Sequence, residues 1–368
     1  IQELMESIDY GKISLIQRCK LCILPSTFPG LLFDLEGVCE LCKTHVATKP
    51  KGIEELRKLL ARNGGTALIP ISGGRDSSFA LHYLSKELEV PVIAYTYDWG
   101  FVSNSARENI SKMCGKLGIE HILIAANMDR KKTNVRKNLL AWLDKPEIGL
   151  IPILMAGDKQ FLTLSEKIRK ENGLGVSIFA MNSYEKTLFK SAYAGSTYAG
   201  DKRRSHSISS ANKMRILRYY GIKFIQNRKY FNSSLIDSAV GFFSFYFVKT
   251  NYLQVFDFLE WDEREIMKIL SENYAWSTEN TGDNSWRSGD ATSGFYNYIY
   301  LKFGGFTEND TFRSNQIRSG AISRDEAIER IQIENRVQAE MILEYLGNLG
   351  INIDIVNRKL KGWGKFSS

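Results

Sequence analysis

The feature that most constrains the chain is the stretch TALIPISGGRDSSFALHYLSKEL at 66–88. An apolar run rich in β-formers, a Ser-Gly-Gly turn and a helical pattern follow one another without a spacer. Ala67–Ile71 has the length and composition of a short buried strand, and Pro70 places its end near an edge or a bend. After Asp76, the positions Phe79, Leu81, Leu84 and Leu88 fit a helix. Gly73 and Gly74 permit positive φ and close approach of a ligand to the backbone. Strand, glycine turn and helix together make an anion site, because a helix N-terminus presents free N–H groups and a partial positive charge. Ser72, Ser77 and Ser78 add hydroxyls, and Arg75 either adds charge or points to solvent. The plain alternative is a capped helix start with Asp76 as a first-turn acid. Neither the Walker loop nor the dinucleotide fingerprint is present.

Four of the five cysteines form C-x2-C-x16-C-x2-C at Cys19, Cys22, Cys39 and Cys42. That spacing suits a tetrathiolate zinc site built from two knuckles. Disulfides, a redox pair and an Fe–S cluster are the alternatives. Cys114, alone in ISKMCGKLGI, reads as a core or half-buried helix residue.

The 368 residues suffice for two or three units and a core that needs no staples. The net charge of +8 suits nucleic acid, but equally nucleotides and phosphorylated sugars. The densest basic group, DKRRSH at 201–206, reads as a solvated loop. The longest apolar stretch, Ala239–Val248, is too short to span a bilayer, and no secretion signal opens the sequence. A cytoplasmic protein with no membrane partner is expected.

The loop resembles S-G-G-x-D-S-[ST] of the PP-loop ATP pyrophosphatases, matching at Ser72, Gly73, Gly74, Asp76, Ser77 and Ser78. Further segments resemble one branch of that superfamily, the N-acetyl sugar amidotransferases. They are CILPSTFPGLLFDLEGVCELC, with Pro25, Thr27, Pro29, Phe33, Asp34, Gly37 and Val38 in register; TYDWG; MAGDKQF; FAMNSYEKTLFK; and FLEWDEREIMKILSENYAW. One departure stands out. Where the family carries W-R-x-Y-G-G-K-H-Y-E-S, this chain has SWRSGDATSGFYNYIY (285–300), so its sugar is expected to differ.

The resemblance implies an adenine-nucleotide hydrolase-like α/β fold with an N-terminal zinc ribbon and a mainly helical C-terminal domain. The divisions expected are a leader (1–17), the ribbon (18–50), the PP-loop domain (51–235) and the helical domain (236–368). Strands are expected near 66–71, 91–97, 121–125, 151–155 and 176–181. A capping box at Ser323 and Glu326 opens one or two amphipathic helices.

It also implies a reaction. ATP is split between its α- and β-phosphates, and the N-acetyl oxygen of a nucleotide-linked sugar is adenylated. Ammonia then displaces AMP to give an acetamidino group, in surface polysaccharide (lipopolysaccharide, O-antigen) synthesis. ATP and Mg2+ are the implied cofactors beside Zn2+. Ser72, Gly73, Gly74, Arg75, Ser77 and Ser78 are assigned to ATP, with Tyr97, Asp98 and Asn182. Asp76, Glu185 and Lys190 are assigned to catalysis, Asp76 also as a Mg2+ ligand, and Lys159 is a weaker candidate. With four histidines and no room for a glutaminase domain, ammonia must come from solution or from separate glutaminase subunits, similar to those of imidazole glycerol phosphate synthase. A tRNA-thiolating PP-loop enzyme and a non-enzymatic nucleotide-binding module are the rivals, and nucleic acid is not the expected partner.

Overall fold

A computed structural model describes residues 2–197, 209–247, 251–277, 286 and 289–367. The basic group at 201–206 therefore lies outside the described residues, as do positions 287 and 288. Two short helices, α1 (Gln2–Glu6) and α2 (Tyr10–Ser14), open the chain. Leu4 and Ile8 are buried, and Ile8 forms an antiparallel bridge with Ser367, so the opening segment packs onto the closing one. The cysteine segment has two such bridges, Arg18 with Pro25 and Phe33 with Cys39, and ends in α3 (Glu40–Lys43). This arrangement fits the two-knuckle form of a zinc ribbon.

Helix α4 (Ile53–Arg62) turns Leu56 and Leu60 inward and leads into β1 (Ala67–Pro70). Then follow α5 (Arg75–His82), continued by a π turn over Tyr83–Glu87, β2 (Val92–Asp98), α6 (Asn104–Leu117), β3 (His121–Ala125) and α7 (Met128–Asp144). A 3-10 helix at Ile148–Gln160 precedes α8 (Phe161–Glu171), β4 (Val176–Phe179) and α9 (Leu188–Ala192). Helices α10 (Ser210–Gln226) and α11 (Ser234–Tyr246) lead to β5 (Tyr252–Gln254).

All five strands are parallel, in the order β3-β2-β1-β4-β5. Ala67 stands opposite both Val92 and Val176, so β1 is central. Side chains alternate between the faces. Leu68 and Tyr95 meet Ile168 and Leu174 on the side of α8, while Ala67, Ile69 and Ala94 meet Leu56, Leu81 and Ile110 from α4, α5 and α6. Both faces are covered, which is why the strands read as near-continuous apolar runs.

The strand expected at 151–155 is instead part of the 3-10 helix at Ile148–Gln160. A short apolar run fits a buried strand or a buried helix equally by pattern. Pro152 lacks the N–H that a central ladder needs, and Ile151, Ile153 and Leu154 are buried as helix residues. The fifth strand, β5, comes from within 236–368 and was not expected.

The rest is helical: α12 (Glu263–Tyr274), α13 (Ser293–Gly304), α14 (Glu308–Ser319), α15 (Arg324–Glu334), α16 (Ala339–Asn348) and α17 (Ile353–Leu360). Among the described residues no helix is long and apolar enough to cross a membrane. Ser323 caps α15 by accepting from the Glu326 N–H. The Glu326 carboxylate does not close the expected box but meets Arg330 and Arg264. A complete box occurs at Thr307 and Asp310, ahead of α14.

The helical half is tied to the sheet by charge. Glu263, first residue of α12, accepts from Arg75 Nη1 at 2.7 Å, Arg313 Nη1 at 3.0 Å and Arg330 Nη1 at 2.9 Å. Arg75 and Arg313 are buried, and Arg313 also pairs with Glu334. Breaking a buried pair by removing one partner costs about 3–5 kcal/mol. Glu263→Gln is therefore expected to lose about that much stability in urea unfolding; a loss within experimental error would show that the carboxylate is dispensable.

Candidate functional site

The loop after β1 is held in shape by its neighbours. Gly73 has φ 76°, and a Cβ there would lie 2.2 Å from the Ala106 carbonyl oxygen. Its own carbonyl accepts from Asn109 Nδ2 and from Trp276 Nε1, each at 3.2 Å. The Ser77 hydroxyl accepts from the Ser72 N–H at 3.1 Å and stands 3.0 Å from the Ser72 hydroxyl. The N-cap of α5 is Gly74, which has no side chain to cap the first turn. The first N–H groups of α5 are thereby left for an anion.

Asp76 joins three parts of the fold. Its carboxylate accepts from Arg75 Nε at 2.7 Å, Asn182 Nδ2 at 2.7 Å and Trp261 Nε1 at 3.1 Å. Asn182 follows β4, so this contact bridges the carboxyl ends of β1 and β4. There the winding of the sheet reverses, which is where open α/β sheets bind ligands. Arg75 is neither a free cation nor solvent-facing. It is 3% exposed, lies 4.8 Å over the Trp261 ring and is shared between Asp76 and Glu263.

A cavity of about 880 Å³ opens at this point. Ser72, Gly74, Asp76 and Ser77 line it from the loop, Asn182, Glu185 and Lys190 from the segment after β4, and Tyr97 and Lys159 from elsewhere. Pockets for small ligands run to about 1,000 Å³, so this one lies at the large end of that range. Its further reach is aromatic, with Phe161, Phe179, Tyr220, Phe224 and Phe242. Three expected residues are not among those that line it. Gly73 shapes the loop from beneath. Ser78 is fully buried and accepts from Trp276 Nε1 at 3.2 Å. Asp98 caps the strand end, accepting from the Gly100 N–H at 2.9 Å and Arg107 Nε at 2.8 Å.

Lys190 pairs with the buried Glu308 and sits 4.7 Å from the Tyr296 ring centre. Glu185 accepts from Trp286 Nε1 at 3.0 Å. Lys186, which the sequence reading passed over, also lines the cavity. Among the described residues it makes no ion pair, and burial pushes its pKa down, opposed by the charge of Asp257. Gly289 belongs to the departing block that the sequence singled out: a Cβ there would come within 3.3 Å of the Ser72 carbonyl oxygen. The block that departs from the amidotransferase pattern thus lies against the glycine loop. The signal for the tryptophans was present, since Trp261, Trp276 and Trp286 cluster in a short span, but their targets are remote in sequence.

The four cysteines bring their Sγ atoms within 4.8 Å of one another. Cys19 and Cys42 are 3.9 Å apart and Cys22 and Cys39 3.7 Å apart, too far for disulfides. A metal bound by four thiolates at about 2.3 Å gives tetrahedron edges of about 3.8 Å, so the set fits one ion. Cys19 Sγ accepts from the N–H groups of Cys22 at 3.5 Å and Cys39 at 3.3 Å. Arg324 donates to the carbonyls of Cys19 and Cys22, and Arg318 approaches Cys42 Sγ at 3.9 Å. The cluster is a metal-binding site. Cys114 is separate and buried.

The chain matches no protein-family signature and no curated protein. The amidotransferase resemblance is thus carried by the quoted motifs alone. Among solved structures it is similar to an NH3-dependent NAD synthetase from Campylobacter jejuni in complex with the nitrate ion, at 14% identity and TM-score 0.27, covering 53% of this chain and 94% of that one. It is also similar to the U34-tRNA thiolase NcsA from Methanococcus maripaludis with its [4Fe-4S] cluster, at 13% identity and TM-score 0.32, covering 88% and 92%. At these scores neither likeness bears on function.

The loop geometry separates its two glycines. Gly73→Ala meets both a positive φ and a backbone atom that cannot move aside, and is expected to cost at least about 1–3 kcal/mol. Gly74→Ala has an ordinary φ of −74° and meets only Ser72 Oγ at 3.3 Å, so it should cost far less. Urea unfolding of the two variants checks this; equal losses would contradict it.

Proposed function

We propose that the protein is an ATP pyrophosphatase-type amidotransferase that adenylates the N-acetyl oxygen of a nucleotide-linked sugar. Ammonia then displaces AMP to form an acetamidino group. The observation that carries this reading is the uncapped start of α5 at the β1–β4 switch point, opening into a large cavity. The amide oxygen attacks the α-phosphorus, and the bond to the bridging oxygen breaks. Pyrophosphate leaves, held by the N–H groups at the start of α5 and the hydroxyls of Ser72 and Ser77. Ammonia adds to the imidate carbon, AMP departs with its oxygen, and the nitrogen loses a proton to give the amidine. Alignment and charge neutralisation supply the acceleration.

In this reading the two lysines have different tasks, supported by the ion pair of Lys190 with Glu308. Lys190 is held by Glu308 and positions that wall. Lys186 is the cation available to pyrophosphate. Asp76 and Glu185 are the carboxylates that would hold Mg2+, which neutralises phosphate oxygens when bound. Zn2+ at Cys19, Cys22, Cys39 and Cys42 would be structural, a reading supported by thiolate separations that suit a single ion. Ammonia would come from separate glutaminase subunits. Sulfur transfer to tRNA is the rival, but among the described residues no cysteine lines the cavity.

The test is release of AMP and pyrophosphate by the purified chain, with ATP, Mg2+ and ammonium, across UDP- and CMP-linked N-acetyl sugars. Equimolar AMP, pyrophosphate and amidine are expected with one of them, and glutamine alone should not replace ammonium. Asp76→Ala, Ser77→Ala and Lys186→Met should each lower kcat/KM for ATP by about 10²-fold or more. Products limited to ADP and phosphate, or full activity in these variants, would sink the reading. Cys39→Ser should release about one equivalent of zinc and loosen the ribbon, because metal binding is coupled to local folding; metal analysis finding iron or no metal in the parent chain would reject zinc.

A further inference from the structure

Helices α10 and α11 carry exposed apolar side chains, some of which, Leu217 and Phe243 among them, also reach the cavity. On α11, Ile236, Val240 and Phe243, followed by Phe247, recur at the spacing of one helical face, yet all are exposed, Ile236 by 74%. On α10, Met214, Leu217 and Ile225 do the same, with Ile225 exposed by 69%. The two helices border the same cavity, and Lys213 Nζ near the start of α10 is 4.8 Å from the ring centre of Phe247 at the end of α11. Charge marks this surface too. Residues 209–247 hold six basic side chains, Lys213, Arg215, Arg218, Lys223, Arg228 and Lys229, against one acid, Asp237. That acid turns inward to Lys131 and Asn134. Glu147 and Asp144 pair with Lys223 and Lys229. Arg215, Arg218 and Arg228 make no ion pair among the described residues.

Exposed aliphatic and phenylalanine side chains on a segment whose arginines Arg215, Arg218 and Arg228 make no ion pair among the described residues match an anionic bilayer surface, where the apolar groups enter the acyl boundary and the cations meet headgroups. An RNA partner would match the cations but leave Met214, Ile225, Ile236 and Val240 without a stacking or hydrogen-bonding role. We infer that the α10–α11 surface docks the protein peripherally on an anionic membrane surface, with the cavity mouth toward the lipid. This revises the expectation that no membrane is involved, and it does not depend on which reaction the cavity performs.

Co-sedimentation with vesicles tests it, using phosphatidylcholine alone and an equal mixture with phosphatidylglycerol. The full chain should bind the mixed vesicles, release with rising salt and ignore phosphatidylcholine alone. Ile225→Glu with Ile236→Glu should abolish binding. Arg218→Ala with Arg228→Ala should weaken it about tenfold or more. Neither pair lines the cavity, so ATP cleavage without vesicles should persist, and circular dichroism should confirm the fold. The arginine pair still tests the inference if the glutamate pair misfolds. No binding by the parent chain, or undiminished binding by both variants, overturns it. So does a salt-insensitive dimer that the glutamate pair disperses, or retention of bulk tRNA in place of vesicles.

Discussion

The alternating charges Asp76, Arg75, Glu263, Arg313 and Glu334 run from the glycine loop into the helical half. Each buried charge in the interior of this chain has an opposite charge on both sides, which offsets the desolvation that isolated burial would impose. The arrangement matters for the loop itself. An acid in the first turn of α5 suits the helix dipole, but alone it would repel a polyphosphate. Arg75 offsets that charge from a buried position. The positive end of the helix is then left to act on the anion.

Helix α14 extends the same logic to the cysteine cluster. Its Arg313 faces Glu263 and Glu334, Asp310 meets Arg18 at 2.6 Å, and the Ser314 hydroxyl accepts from the Ile23 N–H at 3.3 Å. Further along, Arg318 reaches Cys42, and Asn315 donates to the Tyr184 carbonyl at 2.7 Å. A single helix thus contacts the metal knuckles, the segment after β4 and the charge chain to the loop. A metal at the cysteines would fix one end of this helix and so bear indirectly on the walls of the cavity.

The elements most legible in the sequence are those specified locally. The central strand, the glycine turn and α5 follow from adjacent residues, and the cysteine spacing already contains the two knuckles. Elements specified by remote partners were not legible. The segment Tyr252–Gln254 is a strand only because β4 offers it a free edge. Helix α14 reads as a polar surface helix, ENDTFRSNQIRS, yet Asp310, Arg313, Ser314 and Gln316 are buried. Periodicity detects apolar faces, and this face is buried by ion pairs. The two lysines after β4 could not be ranked from sequence either. What separates them is Glu308, which reaches Lys190 and leaves Lys186 to the cavity.

The cavity joins two surfaces of different physical origin. Its polar end is made of strand termini and a helix start, where backbone donors are fixed by the sheet and cannot be traded for side chains. Its aromatic end is made by α10 and α11, whose outer faces expose the same kinds of residue that their inner faces present to the cavity. A helix that is apolar on more than one side needs a partner on each. In this chain the sheet domain supplies one and the cavity borders another. The outer face has no partner among the described residues, and its composition, aliphatic with arginine and without free acids, favours an anionic partner. The polar end can therefore be specified by the fold alone, whereas the aromatic end is completed by whatever covers α10 and α11.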